Sequence, residues 1–186
     1  MNPTLNKSDF EDLTTNLKDL AYSYLEKYSP SKQQLKIYLL KKYLTKIKGS
    51  KSKKEVTSII DEIIMNLEKN KIVNDELYSD SKARMFLRRG YSLNKINQSL
   101  RHKGIDSKYI KQSIDKIKED QIEPDFVSAL KLCKRRRIGP MRPQANRELF
   151  YKKDMGILAR SGFDYETSKR VVDLEKSEYL KIINLL

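Results

Sequence analysis

Histidine and cysteine each occur once in the 186 residues, as His102 and Cys133. That excludes a cluster of these residues at zinc-ligand spacing, and a lone thiol forms no internal disulfide. Neither a structural metal nor a cofactor is expected. Glycine and proline number only 6 and 5, too few to punctuate a chain of short strands and hairpins. There is no run of about 18 apolar residues to cross a membrane, and Met1 to Phe10 carries no signal-peptide hydrophobic region. A cytoplasmic protein without membrane attachment is expected. No glycine-rich phosphate loop of the GxxxxGK[ST] type and no HExxH motif is present, so nothing in the motifs points to an enzyme.

Hydrophobic residues make up 38% of the chain and charged residues 34%, which argues against one large core and for thin apolar stripes on helices. Those stripes recur along most of the chain, so the fold class is all-α. Leu17, Leu20, Ala21, Tyr24 and Leu25 mark a first helix. Ser29-Pro30 reads as an N-cap followed by a first-turn proline, which starts a second helix at Pro30 with Leu35, Tyr38, Leu39 and Tyr43 along one side. Ile59, Ile60, Ile63, Ile64 and Leu67 define a third. The lysine-rich stretch Lys46 to Lys54, broken by Gly49-Ser50, is the linker candidate.

The same arrangement returns twice. Ala83, Phe86 and Leu87 head a helix that stops at Arg89-Gly90, Ser92 caps the next, and Asp106 caps a sixth. Phe126, Val127, Leu130 and Cys133 lie on a seventh helix ended by Gly139-Pro140. An eighth ends at Ser161-Gly162, and a ninth begins near Tyr165. Lys103-Gly104-Ile105-Asp106 and Ser161-Gly162-Phe163-Asp164 share one form: helix end, glycine, apolar residue, aspartate cap. The expectation is an elongated stack of three tandem three-helix repeats over 1–75, 76–121 and 122–186, the first with an N-terminal extension and the last with a C-terminal tail.

Lys and Arg total 39 against 25 Asp and Glu, a formal net charge of +14. This exceeds what solubility requires and implies a polyanionic or acidic partner. The cations are segregated: Ser31 to Lys54 holds nine lysines and no acid, Ser81 to Lys111 nine cations and Asp106, and Val127 to Lys153 nine cations and Glu148. Partner or phosphate contact is therefore assigned to Arg84, Arg88, Arg89, Lys95, Arg101, Lys103, Arg135, Arg136, Arg137 and Arg142. Most tyrosines recur at core spacing, so contact with the backbone of nucleic acid is favoured over base stacking. Binding to bare DNA should then be weak, nonspecific and phosphate-directed. Cys133 sits at an apolar helical position and reads as a buried small hydrophobe, and His102 as a helix-end cation or phosphate contact. The helix pair Ala83 to Lys103 loosely fits a helix-turn-helix, which keeps open an autonomous DNA-binding protein of the nucleoid or transcription class. A basic RNA-binding protein fits the composition but explains neither the repeat nor its junctions.

Four segments in order resemble the RecX family. Arg88-Arg89-Gly90-Tyr91-Ser92, leading through Ile96 and Leu100 to Lys103-Gly104-Ile105-Asp106, is similar to the family's central signature. Ile72 to Tyr78 resembles its turn before an aromatic residue. Arg135 to Pro140 and Lys153 to Phe163 are similar to its C-terminal pattern. Lys71 stands where the family usually has glycine, leaving Asn70 as the expected left-handed helix terminator, and Asn74 replaces an aspartate. The resemblance implies a non-enzymatic, monomeric modulator that lies in the helical groove of a RecA filament on DNA. It also implies damping of recombinase, ATPase and co-protease activities, and so a place in DNA repair, homologous recombination and the SOS response.

Overall fold

The computed structural model describes residues 7–47 and 52–185. Among these are ten α-helices and no strand: α1 Lys7–Leu25, α2 Lys32–Lys42, α3 Lys53–Lys69, α4 Asp75–Arg88, α5 Leu93–Arg101, α6 Ser107–Asp120, α7 Pro124–Arg136, α8 Gln144–Arg160, α9 Tyr165–Val172 and α10 Lys176–Asn184. A π-helical turn, Tyr43–Ile47, prolongs α2, and a 3₁₀ turn, Gly139–Met141, precedes α8. The centre of the expected linker, residues 48–51, lies outside the described residues. The stretch expected as a C-terminal tail is α10. It is helical because Tyr179 and Ile183, four apart on one face, are buried, and the Tyr179 hydroxyl donates to the Leu130 carbonyl at 3.0 Å.

The chain divides into two compact units, one of residues 1–78 with 103–105 and one of 79–102 with 106–186. In the first, Leu13, Leu17 and Ala21 of α1 meet Leu35 and Leu39 of α2 and the Val56, Ile60, Ile63 and Leu67 stripe of α3. Each fully buried Leu or Ile contributes about 1.5–3 kcal/mol. The N-cap of α2 is Ser31, two residues beyond the Ser29 expected from sequence. Ser31 and Gln34 form a reciprocal capping box, which outcompetes a start at Pro30 because it satisfies two backbone amides. At the end of α3, Lys71 rather than Asn70 takes the left-handed conformation, with φ 57°. Ile72 N–H then reaches the Leu67 carbonyl and Lys71 N–H that of Glu68, the double bond of a Schellman end. The second unit is built on Ala129, Leu130, Leu132 and Cys133 of α7, packed with Leu158, Phe163, Val171 and Tyr179.

One hydrogen-bond arrangement occurs once in each unit. In the first, the buried Ser31 hydroxyl accepts from Gln34 N–H at 3.2 Å and donates to the Lys103 carbonyl at 2.8 Å, while Lys32 N–H donates to Asp75 at 2.9 Å. In the second, the buried Ser92 hydroxyl accepts from Lys95 N–H at 3.0 Å and donates to the Ser161 carbonyl at 2.9 Å, and Leu93 N–H donates to Asp125 at 2.7 Å. Each helix start thus has its first- and third-position amides satisfied, one of them by an aspartate 43 or 32 residues further along the chain. A capping hydroxyl is worth about 1 kcal/mol, and its second bond, to a part-buried carbonyl, contributes about 0.5–1.5 kcal/mol more. Glycine follows each accepting carbonyl. Gly162 has φ +88°, and a Cβ there would stand 2.4 Å from the Ser92 hydroxyl.

Lys71→Gly removes a side chain from a left-handed position at the end of α3 and should stabilise the protein by about 1 kcal/mol, read as a raised Tm. The junction carboxyls give a pH test. Burial pushes Asp125 above its ordinary 3.8, and the Asp164 charge adds to this, against the opposing Leu93 amide and Lys118; burial likewise pushes Asp75 up. A raised folded-state pKa means that ionisation costs the folded protein more than the unfolded chain. The penalty is absent below 3.8 and present once pH has risen through the raised value. Asp125→Asn keeps an oxygen for Leu93 N–H without the charge. Its Tm should exceed that of the parent at pH 7, and the gap should close near pH 3.

Candidate anion-binding cleft

The ten cations singled out from sequence divide by what holds them. Arg142 is committed: its Nε and Nη2 donate to the two carboxylate oxygens of Asp154 at 2.6 and 2.7 Å, and Asp154 is 1% exposed and also accepts Gly139 N–H at 2.8 Å. The Arg142 guanidinium also lies 4.4 Å from the centre of the Phe150 ring. Arg84 pairs with Asp120 at 2.9 Å. Arg101 donates to its neighbour Asn97 at 2.8 Å. Lys103 belongs to the first unit, where its carbonyl receives Ser31. Arg88, Arg89 and Arg137 are exposed at the ends of α4 and α7.

Lys95, Arg135 and Arg136 come together. With Arg160, which the sequence reading did not single out, they line a cleft of about 260 Å³ floored by Gly90, Leu132 and Ile157. Local rules explain the gathering. α4, α7 and α8 all end at this place, and each carries arginine in its last turn, where a cation offsets the negative end of the helix dipole. Gly90 lets the end of α4 touch α7, since a Cβ there would lie 2.9 Å from both Leu132 N and the Ser128 carbonyl. Arg135 then donates to the Arg89 carbonyl across that contact. The bond from Ser92 to the Ser161 carbonyl sets Arg160, one residue earlier, beside the start of α5 and Lys95. Arg160 had a signal of its own: it precedes Ser161-Gly162 much as Arg89 precedes Gly90.

No carboxylate lines this cleft, and among the described residues Lys95, Arg136 and Arg160 make no ion pair. Guanidinium groups converging without a counter-charge suit an oxyanion, carboxylate or phosphate, which they can grip through paired N–H donors. Cys133, close in sequence to three arginines, is fully buried; burial, followed by the nearby Asp154 charge, pushes its thiol up to about 12. It packs as the small hydrophobe expected. Among the described residues no three His, Cys, Asp or Glu side chains stand together as a metal site, and no helix is long and apolar enough to cross a membrane.

No family model matches the chain. A protein of Myxococcus xanthus strain DK1622, described as regulatory protein RecX, is 31% identical over 161 residues, which cover 86% of this chain and 85% of that protein. The crystal structure of RecX from Lactobacillus salivarius has a similar fold, with TM-score 0.60 at 16% identity over 95% of this chain and 99% of that one. A second crystal structure, of a regulatory protein RecX, gives TM-score 0.58 at 21% identity over 92% and 79% of the two chains. The two solved structures agree in fold with an all-α architecture reached here from local sequence rules, and the Myxococcus protein matches in sequence across most of both chains: the chain belongs to the RecX family of regulatory proteins.

Proposed function

We propose that this protein is a RecX-type modulator that binds RecA filaments assembled on DNA and lowers their recombinase, ATPase and co-protease activities. The observation that carries the reading is the cleft of Lys95, Arg135, Arg136 and Arg160, cationic on every charged side and without an internal counter-ion. Membership of a regulatory family supplies the class of partner, and the cleft supplies a place to hold its acidic groups or nearby phosphates. The proposed contact set is this cleft with the flanking Arg88, Arg89 and Arg137, while Arg84 and Arg142 serve the fold through Asp120 and Asp154. We further propose a cytoplasmic monomer whose repeats follow the division 1–75, 76–121 and 122–186, the duplicated Ser31 and Ser92 junctions being what supports that division.

The test is ATP hydrolysis by RecA filaments on single-stranded DNA. Stoichiometric protein should inhibit it, and Arg136→Ala with Arg160→Ala should weaken inhibition about tenfold, the equivalent of about 1.4 kcal/mol. Melting of that double variant should change little, because exposed charges contribute under about 1 kcal/mol. Arg142→Ala should behave in the opposite way, losing about 3 kcal/mol of stability because it strands a buried carboxylate. Binding to bare DNA should lose about 0.9 in log K per neutralised phosphate for each decade of salt. Absence of inhibition by the parent protein sinks the reading. Sequence-selective binding to bare DNA would favour an autonomous DNA-binding protein instead.

A further inference from the structure

Behind the cationic cleft, on the side of α8 that faces α9, lies an apolar groove of about 370 Å³ lined by Tyr151, Met155, Gly156, Phe163, Tyr165 and Ser168. Two of these residues stand out. Gly156 sits in the middle of α8 with no left-handed backbone to require it. A Cβ built on it would approach only the flexible tip of Arg160, at 3.3 Å. Glycine is the poorest helix former after proline; here its missing side chain leaves room for the Arg160 tip on one side and bare backbone in the groove lining on the other. Ser168 is the second. The residue is 1% exposed, and among the described residues its buried hydroxyl has no hydrogen-bond partner. Buried polar groups are nearly always paired, and this one lines the groove. Tyr165, at its mouth, is 71% exposed.

We infer that this groove receives a bulky apolar side chain from a segment of a partner protein whose neighbouring carboxylates occupy the Lys95, Arg136 and Arg160 cleft. The inference rests on the preceding reading for the identity of the partner. Continuity supports one occupant for both places: Arg160 lines the cleft and also stands over Gly156 at the groove. Charge complementarity makes the segment acidic, since the cleft holds cations alone. A nucleobase fits the groove less well. A base carries several donors and acceptors on its edge, and the polar side chains in the lining, Lys152, Asp164, Ser168 and the phenols of Tyr151 and Tyr165, surround an otherwise apolar surface, so part of that edge would be buried unpaired. A phenylalanine, leucine or methionine side chain fills an aromatic and thioether lining without that cost.

Two measurements on the full-length protein decide the matter separately. In the first, the ¹³C-labelled methyl of Met155 is followed by NMR while N-acetyl-phenylalanine amide is added, with dAMP as the comparison. A saturable shift with the amide that disappears in Gly156→Leu is expected. No saturable shift, or an equal shift with dAMP, overturns the inference. In the second, affinity for RecA filaments on single-stranded DNA is compared between the parent and Gly156→Leu. At least a tenfold loss is expected, with Tm unchanged or raised, and the loss should persist when Gly156→Leu is compared in an Arg160→Ala background, since the Arg160 tip stands over Gly156. Unchanged filament affinity in the folded variant overturns the assignment of the groove to the partner. Should Gly156→Leu fail to fold, Gly156→Ala narrows the same space and should show a smaller loss in both measurements. If the parent does not bind filaments at all, the proposed function fails, and the NMR arm alone decides whether the groove takes an apolar side chain.

Discussion

A single serine hydroxyl that works in two directions is the constraint on which the second unit depends. Ser92 closes the amino end of its own helix and at the same time fixes a carbonyl 69 residues away in the chain. Because the fixed carbonyl belongs to Ser161, the preceding arginine is delivered to Lys95, and the last turns of α4, α7 and α8 meet. The electrostatics of the cleft are therefore a by-product of backbone satisfaction. Cations gather because helix carboxyl ends gather, and each helix end carries arginine for its own local reason. What a local rule leaves open is the absence of acids, and the chain supplies none there.

Much of this was legible in the residues. Ser92, Asp106 and Asp164 cap the helices that they were expected to cap, and the Gly-apolar-Asp junctions occur where the repeated pattern placed them. The misreadings share a physical origin in longer-range satisfaction. Pro30 seemed a natural first-turn residue, but Gln34 reaches back to Ser31 and moves the start. Asn70 is a common left-handed residue, yet the Schellman bonds require the next position, and Lys71 adopts it. Arg142 had the same composition around it as Arg135 to Arg137; only the fold reveals that Asp154, twelve residues on, is buried against it. Similarly, the end of the chain was expected as a tail, and Lys176–Asn184 is a helix. Its order comes from Tyr179, whose ring is enclosed and whose hydroxyl finds a carbonyl on α7.

Arginine thus plays two parts within one unit. At Arg142 and Arg147 it is interior masonry: the first balances a buried carboxylate, and the second ties the carbonyls of Val172 and Leu174 at 2.8 and 2.7 Å, fixing the turn from α9 into α10. At Arg136 and Arg160 the same side chain is held by little and points its charge at an open cleft. Composition cannot separate these parts, since both contribute equally to the net charge of +14.

The long reach of Ser31 bears on how the protein emerges from a ribosome. Its hydroxyl is made 72 residues before the carbonyl of Lys103 that receives it. At a synthesis rate of about 5–20 residues per second, that interval is roughly 4–14 s. Through those seconds the first three helices can collapse on Leu17, Leu39 and Ile60, but the N-terminal unit lacks its closing contact. The bond that completes Ser31 therefore waits for a turn that has yet to be translated, and the first helix cap of the chain is among the last to find its full set of partners.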